Sequence, residues 1–252
     1  MINLISELYK DNRPGRNILL YSGGCDSTFL LNEIINACPN QIIYTAAIDA
    51  PWLDKNKYAS EYEAREKAIH HFLEKGALIR HQEIQVSHVT IPEMLPLMKT
   101  REDCLQAEPG GAPQAVYWLS TIAIYLRPGD HLYYGLLGGD SNVQWNNHYE
   151  EAMRLWFTTL CRDTAELRTP LIIKNKDYVL TRLLEDGLYD YAWYCETPPE
   201  KGVPCHKCQP CTTHLKTLAG IAEFHENEDI RKKARTVLDD AHKSICESDR
   251  TV

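Results

Sequence analysis

Residues 22–28, Ser22-Gly23-Gly24-Cys25-Asp26-Ser27-Thr28, combine the groups that holding a phosphate chain requires. Adjacent glycines allow a tight turn and a close approach of the backbone to an anion. Ser22, Ser27 and Thr28 offer hydroxyls, and a helix starting here would present its first N–H groups to the same anion. Asp26 would repel a phosphate unless a cation lay between them, which points to Mg²⁺ bridging protein and nucleotide. The pattern GxxxxGK[ST] is absent, so the P-loop of the classical nucleoside triphosphatases is excluded. The alternative is purely local: Asp26 or Ser27 serves as the N-cap of a helix after a glycine turn.

A second cluster lies far along the chain. Cys195, Cys205, Cys208 and Cys211 follow the spacing C-x₉-C-x₂-C-x₂-C, while the other five of the nine cysteines are scattered singly. Four thiolates at short spacing satisfy tetrahedral Zn²⁺ and fill its coordination shell, so the ion would be structural. An iron–sulfur cluster also takes four cysteines. His206 lies between two of the ligands and is an alternative donor. No secretory signal is evident in the first sixteen residues, which carry acids and no apolar core with a cleavage site, so metal binding ranks ahead of disulfides.

Positioning these groups requires alternating strands and helices. Residues 17–21 (NILLY) form an apolar run that stops at Ser22, as a buried strand entering a loop does. A helix is predicted over 27–38, a second strand over 41–49 with Asp49 at its end, a charged helix over 54–75, and a third strand over 77–86. The Pro- and Gly-bearing stretch 92–113 reads as a lid or a crossover loop. Helix 115–126, a fourth strand over 130–137 ending at Gly138-Gly139, helix 149–162, a fifth strand over 169–173 and helix 177–186 follow, and 211–246 is mostly helical, with Cys211 opening its first helix. The expected fold is α/β: a doubly wound, open, parallel five-stranded sheet, with ligands at the carboxyl ends of the strands. Residues 1–190 would form this α/β unit, and 191–252 a zinc-binding helical segment packed on it as one structural unit.

Composition narrows the partners. The chain has 252 residues, 44% hydrophobic and 25% charged, enough to bury a real core. No apolar stretch approaches the roughly 18 residues of a membrane span. A formal charge of −8 argues against a surface that coats nucleic acid, so a small-molecule partner is expected.

The SGGxDST heptapeptide resembles the pyrophosphate loop of the ATP pyrophosphatases (the PP-loop superfamily, with a HUP-type sheet). Together with the cysteine spacing it resembles the 7-cyano-7-deazaguanine synthase (QueC) family. Gly135-Leu136-Leu137-Gly138-Gly139-Asp140 resembles that family's GxNAxD turn, Thr169-Pro170-Leu171-Ile172 with Lys176 its TPL…TKAEI segment, and Trp193-Tyr194-Cys195 its W[ST]C. The resemblance runs from about residue 17 to about residue 222. Where many members carry DYGQRH after the second strand, this chain has Asp49-Ala50-Pro51-Trp52-Leu53. An Arg-Asn pair gives way to Ala112-Pro113-Gln114-Ala115, and the GxNAxD asparagine is Leu137.

The resemblance implies a cytoplasmic ligase, a homodimer, that converts 7-carboxy-7-deazaguanine and ammonia to the nitrile through an acyl adenylate, with ATP yielding AMP and pyrophosphate, in 7-deazaguanine (queuosine) biosynthesis. Related readings are coupling of a deazaguanine acid to another amine or to a protein, and tRNA modification on the same fold. In the implied reaction Ser22, Gly23, Gly24, Ser27 and Thr28 hold the pyrophosphate and Asp26 holds Mg²⁺. Lys176 neutralises phosphate charge or is an exposed helix-start lysine, and Asp140 binds metal or substrate or caps a turn. Asp49 is placed for a ribose hydroxyl or an adenine edge. Trp145, His148 and Tyr149 lie where a planar heterocycle could stack, although helical aromatics are more often core. Cys25 reads as a small side chain in a variable slot and not as a nucleophile.

Overall fold

The structure, a computed structural model, describes residues 15–49, 54–85, 114–138, 148–161 and 164–248. Asp140, Gly139, Trp145, the segment 50–53 and the stretch 92–113 lie outside the described residues.

Five parallel strands form one sheet: β1 (Asn17–Leu20), β2 (Ile43–Asp49), β3 (Ile79–Gln85), β4 (His131–Tyr133) and β5 (Glu166–Arg168), in the order β3-β2-β1-β4-β5. Asn17 lies opposite Ile43 on β2 and His131 on β4, so β1 is central and paired on both sides. This burial on both faces explains why β1 reads as an unbroken apolar run. The order reverses direction between β1 and β4, and the crevice at that switch point is where open parallel sheets bind ligands.

Side-chain alternation sorts the helices onto two faces. Leu19, Tyr21 and Ile43 point to the layer of α1 (Cys25–Ala37), α2 (Lys55–Glu74) and α5 (Lys176–Glu185), which α6 (Gln209–Phe224) and α7 (Glu228–Ser248) extend. Ile18, Leu20, Tyr44, Ala46, Ile84 and Leu132 point to α3 (Gln114–Ala123) and α4 (Tyr149–Cys161). The first of these apolar clusters runs without a break from β1 to Ile230 and Ala234 of α7. No described helix is long and apolar enough to cross a membrane.

Two strand expectations need correction. The fifth strand is Glu166–Arg168, not 169–173. Pro170 has no N–H to donate to a ladder, and the chain turns there instead: the Ile172 N–H donates to Thr169 O (3.1 Å) and the Lys174 N–H to Leu171 O (2.9 Å). The apolar TPLII run misleads because Leu171 is buried while Ile173 is 83% exposed. The fourth strand spans only His131–Tyr133 of the expected 130–137. Beyond it the Leu136 N–H donates to Tyr134 O (2.9 Å), a tight turn that carries Gly135 over the start of α1.

Gly138 is fixed by close packing. A Cβ there would stand 2.1 Å from the Ile172 carbonyl oxygen, so this position of the GLLGGD stretch locks the turn after β4 onto the turn after β5. Leu137 is buried in the core cluster with Leu19 and Leu171.

Candidate functional site

The loop at the end of β1 is held from beneath before it meets any ligand. The Tyr21 N–H donates to Ala46 O (2.8 Å), keeping the chain in the sheet for one residue beyond β1. Gly23 then takes φ = +83°, a conformation that favours glycine. A Cβ at Gly23 would lie 2.6 Å from Glu61 O and 2.7 Å from Arg65 Cγ, so the loop rests directly on the backbone of α2. Gly23→Ala is therefore expected to displace the loop and to weaken anion binding by at least tenfold, read by calorimetric titration with ATP·Mg²⁺. Gly76→Ala is the control, because its glycine also has a positive φ (+87°) but nothing lies within 4 Å of the new methyl.

The purely local reading of Asp26 or Ser27 as N-cap does not hold. Gly24 is the N-cap of α1, and the helix has no side-chain cap. The Ser22 hydroxyl accepts from the Gly24 N–H (3.1 Å) and lies 3.1 Å from the Ser27 hydroxyl, which donates to Gly24 O (3.1 Å). Thr28 is fully buried with its hydroxyl 3.3 Å from the Tyr21 phenol, and Gly23 and Ser27 are buried as well, so of the predicted loop contacts Ser22, Gly24 and Asp26 are the more open ones. The Cys25 N–H is taken by Trp193 O, so what this helix start offers an anion is its dipole, the N–H groups of Asp26 and Ser27, and the two loop hydroxyls once they turn from their partners within the loop.

Asp26 and Lys176, 150 residues apart, meet here: the Lys176 ammonium donates to Asp26 Oδ1 at 2.7 Å. Both side chains are a quarter exposed, so the pair sits at the mouth and not in the core. Lys176 is the first residue of α5, whose cap is Asn175 accepting from the Tyr178 N–H (2.9 Å). The Lys-Asn-Lys stretch of the TPL…K segment thus aims this cation, and the alternative of a free helix-start lysine is not what is found. Gly135 completes the mouth from the β4 side: a Cβ there would stand 3.5 Å from the Ser27 nitrogen. Any larger residue would cover the start of α1.

The sequence did not reveal the support on the β2–β3 side. Arg65, buried on α2, donates from Nη1 to the Ser22 carbonyl (2.8 Å) and from Nε to Glu83 Oε1 (3.0 Å). Its guanidinium lies 5.5 Å from the Tyr58 ring centre and 5.7 Å from that of Tyr62. His81 Nε2 is 2.8 Å from Glu83 Oε1, and the Tyr58 hydroxyl donates to Glu83 Oε2 (3.2 Å). A detectable signal existed: Arg65 falls on the inward stripe with Ala68, Ile69 and Phe72, and a charge on such a stripe must be paired. Asp49 closes β2 beside this network; burial raises its pKa, with the Glu83 carboxylate adding and Arg65 opposing.

Cys25 is buried, and burial pushes its pKa up to about 11 against the pull of Lys176. The thiol is therefore inert at neutral pH. Alkylation of Cys25 by iodoacetamide is expected to be negligible at pH 8 in the folded chain, while Cys246, exposed among the described cysteines, is modified readily; mass mapping of the peptides reads this.

The four clustered cysteines do converge. Their Sγ atoms all lie within 4.8 Å of one another, with Cys205 and Cys211 3.9 Å apart, so they could hold a metal such as zinc. Thiolates about 2.3 Å from a single ion stand about 3.8 Å apart in a tetrahedron, which this separation matches. Backbone N–H groups already point at the sulfurs, from Cys205 to Cys195 (3.2 Å), from Glu196 to Cys208 (3.4 Å) and from Cys208 to Cys205 (3.3 Å), as suits thiolates. His206 is not part of the cluster; it takes φ = +55° in the turn between Cys205 and Cys208. Cys211 does not open α6: the helix starts at Gln209 with Cys208 as its N-cap and Pro210 in its first turn, where a proline costs no hydrogen bond.

The cysteine segment is tied to α2 and to the loop. The Lys57 ammonium donates to both Glu196 oxygens (2.8 and 2.9 Å), the Gly202 N–H to the Ser60 hydroxyl (2.8 Å) and the Asn56 amide to Pro199 O (3.0 Å). The Trp193 N–H donates to Gly23 O (2.8 Å), and Trp193 O accepts from the Cys25 N–H (3.2 Å). His214 of α6 is fully buried, with Nε2 2.6 Å from the Tyr189 hydroxyl and its ring stacked 3.9 Å from Tyr194; burial, with Lys176 adding, lowers its pKa to about 3, so it is neutral.

No family model matches the chain, and the curated proteins contain no match to it. The geometry therefore stands alone. It brings together Ser22, Gly23, Gly24, Asp26, Ser27 and Lys176 at one mouth and the four cysteines at another point beside it. Asp140 lies outside the described residues, and His148 is an exposed residue 3.2 Å from Glu151.

Proposed function

We propose that the chain is an ATP-dependent ligase that activates a carboxylate as its adenylate and releases pyrophosphate. The observation that carries the reading is the Asp26–Lys176 pair at the uncapped start of α1, placed at the β1/β4 switch point. The Ser22 and Ser27 hydroxyls and the first N–H groups of α1 would bind the β- and γ-phosphates. Lys176 would neutralise charge as the pyrophosphate leaves. One carboxylate plus substrate phosphates is an ordinary set for Mg²⁺, so Asp26 fits that ion, which would supply charge neutralisation between the phosphates and the loop.

The acid is 7-carboxy-7-deazaguanine and the amine ammonia, by the motif resemblance from the loop to the cysteines. A carboxylate oxygen attacks the α-phosphorus, the bond to the β-phosphate oxygen breaks, and an acyl adenylate and pyrophosphate form. Ammonia displaces AMP to give the amide; a second ATP then adenylates the amide oxygen and releases pyrophosphate, and loss of AMP together with the two protons of the nitrogen gives the nitrile. The protein's share is positioning and electrostatics. Buried, high-pKa Cys25 supports this reading over a sulfur-transferring one, which needs a reactive thiol. We assign the ion of the cysteine cluster as zinc. A cubane iron–sulfur cluster puts each thiolate on a different iron and needs sulfurs further apart than these.

The test is incubation with the acid, ATP, Mg²⁺ and ammonium, with nucleotides and products separated by mass. AMP, pyrophosphate and a nitrile are expected, and benzoic or pyrrole acids should give no stimulation, because a site that hydrogen-bonds a base rejects analogues lacking those groups. ADP as the main nucleotide product overturns the adenylation reading. Stimulation by another carboxylate or by RNA alone would overturn the substrate and leave the chemistry standing.

A further inference from the structure

We propose that Trp193 is the positioning residue of the anion loop, and that through it metal binding at the four cysteines and nucleotide binding at the loop are one linked equilibrium. This deepens the nucleotide reading above and rests on it.

The link is short and made of main chain. Gly24 and Trp193 form an isolated parallel bridge, two hydrogen bonds that run from the Trp193 N–H to Gly23 O (2.8 Å) and from the Cys25 N–H to Trp193 O (3.2 Å). These bonds fix the two peptides that flank the N-cap of α1, so they set where its first N–H groups point. Two residues later the chain reaches Cys195, the first of the four clustered cysteines. The Trp193 indole N–H donates to the Cys195 carbonyl (2.7 Å), so the same side chain is anchored on the ligand's own peptide. Tyr194 between them is clamped flat against His214 of α6, which follows Cys211 by one helical turn.

An ion that holds Cys195 against Cys205, Cys208 and Cys211 therefore holds Trp193, and Trp193 holds the loop. When the ion leaves, the indole and the bridge lose their fixed end. Conversely, an anion that orders the N-terminus of α1 stiffens the bridge and slows the escape of the ion. Linkage requires that ion and anion raise each other's equilibrium affinity by the same factor, and the rate of metal release reads that change as it falls on dissociation. Without the Trp193 anchor, Gly24 would keep only bonds from within the loop and its own helix, with the Ser22 and Ser27 hydroxyls and the Thr28 N–H, and the bond from Arg65 would reach no further than Ser22 O. That bond does not touch Gly24 or Cys25.

The experiment uses the metal-loaded chain. Transfer of zinc to a chromogenic chelator is timed with and without ATP and excess Mg²⁺, after a separate calorimetric titration has fixed the saturating ATP concentration. Release slowed roughly tenfold by ATP is expected, within the usual range of coupling between sites. Trp193→Pro, which deletes the N–H that reaches Gly23, should abolish the slowing, while Trp193→Phe, which keeps both main-chain bonds, should retain most of it. If the proline variant does not fold, hydrogen exchange of the wild-type chain decides: ATP should protect the peptide 189–195 as well as the peptide 22–28. Saturating ATP that leaves the release rate unchanged, or protection confined to 22–28, overturns the linkage and leaves the nucleotide site standing. A chain that does not bind ATP at all overturns both.

Discussion

Asp26→Asn is expected to lower AMP and pyrophosphate formation by about two to three orders of magnitude, the size of loss seen when a main stabiliser of developing charge is removed. The substitution deletes a carboxylate charge at the mouth and changes no core contact. Asp26 and Lys176 are each a quarter exposed, so their ion pair at 2.7 Å contributes at most about 1 kcal/mol to folding. In a chain of this length such a change moves the unfolding midpoint by no more than about 4 °C. Activity and stability should therefore separate. Lys176→Met should act in the same direction, and the double variant should lose little more than the worse single one, because groups that act as a unit are not additive. Steady-state AMP release and a thermal scan on the same preparations check this. An Asp26→Asn protein with full turnover would remove the carboxylate from the mechanism.

Loss of the metal should have the largest effect on stability. Structural zinc is worth about 10–16 kcal/mol in small zinc-binding peptides, comparable to the whole stability of an ordinary domain. In this chain an ion on the four cysteines would also join Cys195 to the first turn of α6, whose N-cap is Cys208. Cys208→Ser is expected to fray the start of α6, to open 196–208 to proteolysis and to lower the unfolding midpoint by more than 10 °C, since several kcal/mol are lost at a few degrees per kcal/mol. Cys246→Ser, at an exposed position, should change none of these. Chelation should release four previously unreactive thiols, and elemental analysis should find about one zinc per chain. Iron in place of zinc would correct the ion; stable protein with no metal would overturn the structural role.

Much of this architecture could be read from the order of residues because local physics dictates it. An apolar run too short for a helix, followed by Ser22-Gly23-Gly24, is a buried strand entering a turn, and β1 and its loop follow the reading to within a residue. The strands β2 and β3 each start two residues later than read, and α2 follows the reading to within a residue, with Asp54 accepting from the Lys57 N–H (2.9 Å) as an N-cap should. The cysteine cluster was legible because its short spacings leave few ways for the sulfurs to avoid one another. Reading failed where a local pattern was ambiguous. TPLII is apolar enough for a strand, but Pro170 and the contact with Gly138 make it a turn, and the actual edge strand, Glu166–Arg168, has only one buried residue to reveal it.

By itself, then, the sequence determined the alternation of strands and helices, the glycine loop after β1 and the set of four thiols, because each depends on neighbours within a few residues. Only the tertiary structure decided what holds the loop. Arg65 reaches Ser22 from a helix 43 positions away, Lys176 reaches Asp26 across 150, and Trp193 zips to Gly23 and Cys25 from the cysteine segment. Partners at such separations are chosen by the strand order 3-2-1-4-5, which gathers the carboxyl ends of β1, β2 and β4 around one helix start. Side-chain charge and backbone hydrogen bonding carry no information about distant partners until the sheet has closed, because the desolvation that makes an Arg65 or a Trp193 N–H seek a particular carbonyl exists only in the folded interior.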